Sequence, residues 1–258
     1  MGQPMKYAII GDIHAHLAAL NAVLRDAEQR GCTHTACLGD IVGYYNKPKE
    51  CLDIIRESGI HCVQGNHDAY CASDEPLEGF NPQAAEGVLW TRAQLTEEDR
   101  RWLRNLPLIE LVSGFTIVHA TLDGPQRWGY VFDKLAAAGS FIYQNTSVCF
   151  FGHTHVPVAF VKGKDGMVRG GTYAQFRVEA SNRYFVNAGS VGQPRNQRHG
   201  EVRRAAYASY DLDAGTIELR LVDCEPPEPP PGGHGDAPVP APPRDPRPRL
   251  GAAEDLEL

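Results

Sequence analysis

The stretch Tyr7–His16, YAIIGDIHAH, decides how the chain is read. An apolar run that looks like a buried strand breaks at once into Gly11, Asp12 and the imidazoles of His14 and His16. Acids and imidazoles are costly to bury behind a strand unless they bind something there. Four more apolar runs end in the same way. TACL (35–38) is followed by Gly39-Asp40, and HCVQ (61–64) by Gly65-Asn66-His67-Asp68. FTIV (115–118) is followed by His119, and VCFF (148–151) by Gly152-His153-Thr154-His155.

Between these strands the apolar period changes. Leu17, Leu20, Leu24 and Ala27 recur at helical spacing, with Gly31 as the stop. Residues 50–58 are a second helix, with Cys51, Ile54 and Ile55 on one face. Strand, helix, strand, helix, strand over residues 5–64 implies parallel pairing with helical crossovers. Residues 82–105 read as two helices broken near Leu95–Thr96. Thr96 caps the second, and Glu97, Glu98 and Asp99 lie on its positive end. The charges of residues 97–104 read as a solvated face.

Residues 108–112 and 115–118 form a hairpin around Ser113–Gly114, and residues 130–138 a short helix. Strands then dominate, at 148–151, 156–161, 173–178, 183–186, 205–210 and 216–221. The fold class expected is α/β: a four-layer α/β/β/α sandwich of two mixed sheets flanked by helices. It occupies residues 1–224. Residues 225–258 carry eleven of the nineteen prolines and few large apolar side chains. Little burial offsets the entropy of ordering them, so a disordered tail is expected there.

The chain has 258 residues, 42% of them hydrophobic, and a formal net charge of −7. That charge argues against general nucleic-acid or membrane-surface binding, both of which want a basic face. No apolar run is long enough to span a bilayer. The N-terminus lacks a basic segment followed by an apolar signal core. The seven cysteines contain no C-x-x-C pair and sit mostly in apolar stretches. They read as small hydrophobes in a reducing cytoplasm, the expected location.

In open α/β sheets the carboxyl ends of strands border the binding crevice, so five strand ends can deliver their side chains to one cleft. Asp12 and His14, like His153 and His155, are i, i+2 pairs that face one way in an extended segment. The donors are imidazole, carboxylate and one amide oxygen, with no thiolate. This set suits Mn, Fe, Zn or Co. Two carboxylates and four imidazoles are too many for one ordinary ion. They fit two divalent ions sharing a carboxylate and a hydroxide. Taken singly, each residue is an ordinary cap or turn residue; the joint recurrence is what carries the reading.

Asp-x-His, Gly-Asp, Gly-Asn-His-Asp, a strand-ending His and Gly-His-Thr-His, in that order over residues 7–155, resemble the calcineurin-like metallophosphoesterase superfamily. VNAGSVGQPR (186–195) resembles a segment of its small bacterial and archaeal phosphodiesterase members. GDIVGYYNKPKECLDII (39–55) resembles the diadenosine-tetraphosphatase-related branch. The resemblance implies that Asp12, His14 and His155 hold one metal, that Asn66, His119 and His153 hold the other, and that Asp40 bridges both. It assigns His67 to the phosphate or the leaving oxygen.

The implied reaction is hydrolysis of a phosphate ester by in-line attack of a metal-bridging hydroxide. The expected substrate is small and nucleotide-like, with no membrane and no general nucleic-acid partner. Asymmetric hydrolysis of dinucleoside polyphosphates is the alternative, then a phosphoprotein phosphatase, and outside enzymes a metal-binding scaffold. Protein phosphatases of the superfamily carry Gly-Asp-x-x-Asp-Arg-Gly. Here the second acid is Gly43 and the arginine is Tyr44. That weakens the phosphoprotein reading and leaves open what orients His67.

Arg127 and Tyr130 in the segment after His119, and Arg195, are the candidate substrate contacts. Asp68 is expected to support the loop, and Asn187, Gly189 and Ser190 to pack behind the cleft. His16 is expected at the start of the first helix. His34, His61, His199 and His234 show no ligand pattern.

Overall fold

A computed structural model describes residues 5–195 and 203–231. His199, His234 and all but the first seven residues of the expected tail lie outside them. Strand β1 (Lys6–Ile10) is followed by α1 (Leu17–Gln29), β2 (His34–Cys37), α2 (Pro48–Glu57) and β3 (His61–Cys62). The three strands pair in parallel, as helical crossovers require. Next come α3 (Asn66–Ala72), α4 (Pro82–Gln94), α5 (Glu97–Arg104) and the hairpin of β4 (Ile109–Val112) and β5 (Phe115–Val118). The hairpin turns on Ser113 and Gly114, both at positive φ (43° and 91°), the conformation a tight two-residue turn needs.

Helix α6 (Lys134–Tyr143) leads to β6 (Val148–Phe151), β7 (Val158–Lys162), β8 (Val168–Gly171), β9 (Gln175–Arg177), β10 (Arg183–Asn187), β11 (Arg204–Asp211) and β12 (Thr216–Asp223). One sheet runs β3-β2-β1-β11-β12-β9 and the other β4-β5-β6-β10-β7-β8. The fold is the expected α/β sandwich of two mixed sheets with helices outside.

Alternation along the strands builds the layers. Ile9 faces the space between the sheets, with Leu38, Val63, Phe115, Phe150 and Val186. Its neighbours Ala8 and Ile10 face the other way, onto Leu20 and Val23 of α1 and Cys51 and Ile55 of α2. On the far side Phe151 and Phe185 stack 4.1 Å apart beneath Phe141 of α6. Strands buried on both faces read as continuous apolar runs, which is why YAII and VCFF look as they do. Each large side chain so buried stabilises the fold by about 1.5–3 kcal/mol. All seven cysteines are free thiols.

Three local expectations change. The helix expected at 130–138 starts at Lys134, because Asp133 caps it by accepting bonds from the Leu135 and Ala136 N–H groups at 2.9 Å. Residues 130–133 are therefore irregular and free to approach the site. The charged face of α5 is not wholly solvated. Asp99 closes a capping box with Thr96, is only 1% exposed, and accepts a 2.9 Å bond from Arg56. Strand β8 was not foreseen.

Residues 225–231 continue across the loop after β2: the Asn46 N–H and side-chain amide donate to the carbonyl and carboxylate of Glu228 at 3.2 and 2.9 Å. His16, at the start of α1, makes no side-chain cap and lies 3.1 Å from the Glu225 carbonyl. No helix among the described residues is long and apolar enough to cross a membrane.

Candidate metal centre

The carboxyl ends of β1, β2, β3, β5 and β6 meet at one rim of the sandwich. Asp12, His14, Asp40 and His155 offer ligand atoms that all lie within 4.8 Å of one another, and Asp40, His119 and His153 form a second such group. Asp40 belongs to both. His14 Nε2 lies 3.1 Å from His155 Nε2 and 3.7 Å from Asp40 Oδ2. His155 Nε2 lies 3.5 Å from Asp12 Oδ1. Across the shared carboxylate, His119 Nε2 lies 3.5 Å from Asp40 Oδ2, 3.1 Å from Asn66 Oδ1 and 3.2 Å from His153 Nδ1.

The tautomers decide what these contacts are. His155 Nδ1 is 2.7 Å from the Gln193 carbonyl and His119 Nδ1 is 2.8 Å from that of Leu38. His14 Nδ1 faces the Val42 carbonyl at 3.4 Å. A carbonyl oxygen can only accept, so each Nδ1 carries the proton and each Nε2 presents a lone pair. Lone pairs of imidazole, carboxylate and amide thus converge with no proton between them. A cation resolves that arrangement, and a carbonyl behind each of these three imidazoles is the support metal-binding histidines use.

Electrostatics agree. Burial pushes the Asp12 carboxyl up to about 7, an effect opposed by His119 and increased by Asp40. Burial raises Asp40 well above the carboxylate range, with Asp68 adding to it. Burial likewise lowers His14, His153 and His155. These two carboxyls and three imidazoles are all driven towards their neutral forms. A divalent cation favours ionised carboxylates and neutral imidazoles, so it reverses the first shift and exploits the second.

The backbone is bent to aim these side chains. Asp12, His14, Asp40, His153 and His155 all sit at φ between 50° and 66°. Non-glycine residues there cost about 1 kcal/mol or more each, a strain found at functional sites. The glycines before them mostly serve close approach instead of turning. A Cβ on Gly65 would stand 2.1 Å from Asp40 Oδ1, and one on Gly152 would stand 2.7 Å from Asp12 Oδ2. Only Gly39 of the four has positive φ.

Two braces hold the rim. Asp68 accepts from the backbone N–H groups of Asp40 (2.8 Å), Ile41 (2.9 Å), Val42 (3.3 Å) and Gly65 (3.0 Å). Asn187 donates to the Gly152 carbonyl at 2.7 Å and accepts from the Gly189 N–H at 2.8 Å, while Ser190 donates to the Asp12 carbonyl at 2.9 Å. These residues pack behind the cleft, as the sequence led us to expect.

His67 lies inside the cleft, its backbone N–H donating to Asp40 Oδ1 at 2.8 Å. Its ring packs 4.7 Å from Tyr44 and 4.8 Å from His14, and burial pushes it down to about 3. A Cβ on Gly43 would stand 2.4 Å from His67 Nδ1, so the position that holds an acid in protein phosphatases is here filled by the imidazole itself. Tyr130 stacks on His153 at 4.2 Å. Arg195 is half-buried beside the cleft; its backbone N–H donates to the His155 carbonyl at 3.3 Å, its guanidinium donates to Gln193 Oε1 at 3.4 Å, and its buried Nε has no partner among the described residues. Arg127 is not gathered in: its side chain is 67% exposed and its guanidinium donates to Asp123 at 3.1 Å. Sequence reading missed Tyr44 as a packing partner of His67 and Gln193 as the support of His155.

Two sheets packed face to face, with buried acids and imidazoles gathered at the strand ends of one rim, make a site suited to divalent cations. Residues 5–213 match the calcineurin-like phosphoesterase superfamily domain, and the chain belongs to that family. It is 36% identical over 223 residues to an uncharacterized protein of Methanocaldococcus jannaschii, covering 84% of this chain and 86% of that one. A metallophosphoesterase from Sphaerobacter thermophilus superposes with a TM-score of 0.74 at 35% identity, covering 86% of this chain and 90% of that chain. A hypothetical protein from Pyrococcus horikoshii OT3 shares the fold, with a TM-score of 0.65 at 17% identity over 86% of this chain and 89% of that one. The chain is a metal-dependent phosphoester hydrolase.

Proposed function

We propose that the chain is a phosphodiesterase or phosphatase acting on a small nucleotide-like substrate at a pair of divalent cations. Asp12, His14 and His155 hold one, Asn66, His119 and His153 the other, and Asp40 both. The sharing of Asp40 Oδ2 between His14 (3.7 Å) and His119 (3.5 Å) carries the proposal. Nitrogen and oxygen donors without thiolate fit Mn, Fe, Zn or Co. When bound, such ions activate water near neutral pH and offset charge on the phosphoryl oxygens.

The chain's own residues do the rest. Arg195, with no carboxylate partner among the described residues, grips a non-bridging phosphate oxygen. His67 is neutral in its apolar packing; an anionic ester beside it raises its proton affinity, and it then donates to the leaving oxygen. Gly43 and Tyr44 seat the His67 ring where a protein phosphatase uses an acid, which favours a small ester over a phosphoprotein. Seven free thiols suit a reducing cytoplasm.

The test is hydrolysis of bis-p-nitrophenyl phosphate by the manganese-loaded chain, with metal content measured in parallel. Turnover should vanish with chelator and return with metal. An Asp40→Asn chain that kept two equivalents of metal and full turnover would refute the shared-carboxylate site.

A further inference from the structure

The segment between His119 and α6 holds a feature that hydrolysis itself does not need. Tyr130 and Phe132 are 54% and 47% exposed, yet their rings are ordered into a parallel stack 5.5 Å apart with 5° between their planes. Tyr130 in turn stacks on His153 at 4.2 Å. Exposed aromatic rings usually scatter; here three rings run in series from the metal centre to solvent.

The local chain explains the order. Val131 is 1% exposed and buried with Phe141, Phe151 and Phe185, so it pins the segment to the core. Its neighbours at i−1 and i+1 are then thrown to the same outer side. Immediately after, Asp133 is locked as the cap of α6. The two rings are held in place before any ligand arrives, so little ordering entropy is lost on binding.

We infer that Tyr130 and Phe132 form a stacking platform for the nucleobase of a nucleotide ester whose phosphate sits at the metal centre beside Arg195. The inference rests on the function proposed above and narrows its substrate class to esters carrying a flat aromatic base. The platform offers ring faces, which every base can stack on, so purines and pyrimidines are both accepted, and purines bind more tightly for their larger face.

The discriminating probes are AMP and ribose 5-phosphate, which share a phosphate and a ribose and differ only in the base. Calorimetric titration of the metal-loaded chain should show AMP binding about tenfold more tightly, the size of one base–aromatic stack. Phe132→Ala should remove most of that preference and leave ribose 5-phosphate binding and bound metal unchanged; Phe132→Trp should keep it. Equal binding of the two probes by the unmutated chain would overturn the platform, as would a Phe132→Ala chain that retains the preference. So would size-exclusion data showing that Phe132→Ala dissociates a dimer and weakens both probes alike, since the rings would then be a subunit contact. Loss of all metal-dependent hydrolysis in the unmutated chain is a separate outcome, and it would strike the function proposed above.

Discussion

The two halves of the metal centre differ in closure and charge. Asp12, His14 and His155 are at most 2% exposed, and both imidazoles rest on backbone carbonyls. On the other side Asn66 is half-buried, His153 is 6% exposed, and an exposed tyrosine covers it. The closed half has its own carboxylate besides Asp40; the open half has an amide oxygen in that place. A cation in the closed half therefore meets two negative charges, and one in the open half meets only the shared one. Under the proposed two-ion reading the lesson is a division of labour: the closed half would anchor its cation, while the open half would face the substrate and release its ion more easily.

The strongest way to break this comparison is Asp40→Asn. It should empty both halves and lower turnover by several orders of magnitude, read by metal analysis and hydrolysis. Next comes Asn66→Ala set against His155→Ala. The first should lose one equivalent of metal and keep the other, whereas the second should weaken both, because the tighter half is the one disturbed. Equal behaviour of the two variants would erase the distinction.

Asp68→Ala leaves the N–H groups of Asp40, Ile41, Val42 and Gly65 without their acceptor. It should cost about 3 kcal/mol in denaturant melts, with most of the loss present even without metal.

A pH effect follows from Asp12. Its carboxyl is raised from 3.8 to about 7 by burial, so the metal-free fold binds a proton there that the unfolded chain does not. That contribution is fully present below about 4 and is lost as pH rises through about 7. Metal binding needs the ionised form. The rise in Tm on adding manganese should therefore be larger at pH 8 than at pH 6, and a constant rise would contradict the assignment. The smallest effect is Thr96→Ala, a lost cap far from the rim. It should cost about 1 kcal/mol of stability and leave metal content unchanged.

Much of this was legible in the sequence because each candidate ligand directly follows an apolar strand, and strand ends in parallel sheets share a rim. What was not legible depends on distant partners. Strand β8, VRGG, carries two glycines and no aromatic residue. It pairs with β7 because Gly170 lets Phe160 lie across it, where a Cβ would stand 2.4 Å from the ring. The start of α6 was misplaced because Tyr130, Val131 and Phe132 look like a helix face until Asp133 is known to be the cap. The Gln193 carbonyl behind His155 and the ring of Tyr44 against His67 come from assembly across the fold, and no local pattern announces them.

One pairing in the first sheet has a bearing on biosynthesis. The opening strand lies between β2 and a strand made from residues 204–211. A growing polypeptide emerging from the ribosome thus displays all seven candidate donors by His155 while half of the neighbours of its first strand are still untranslated. A fragment ended soon after His155 should leave the first strand with an open edge, ready to aggregate.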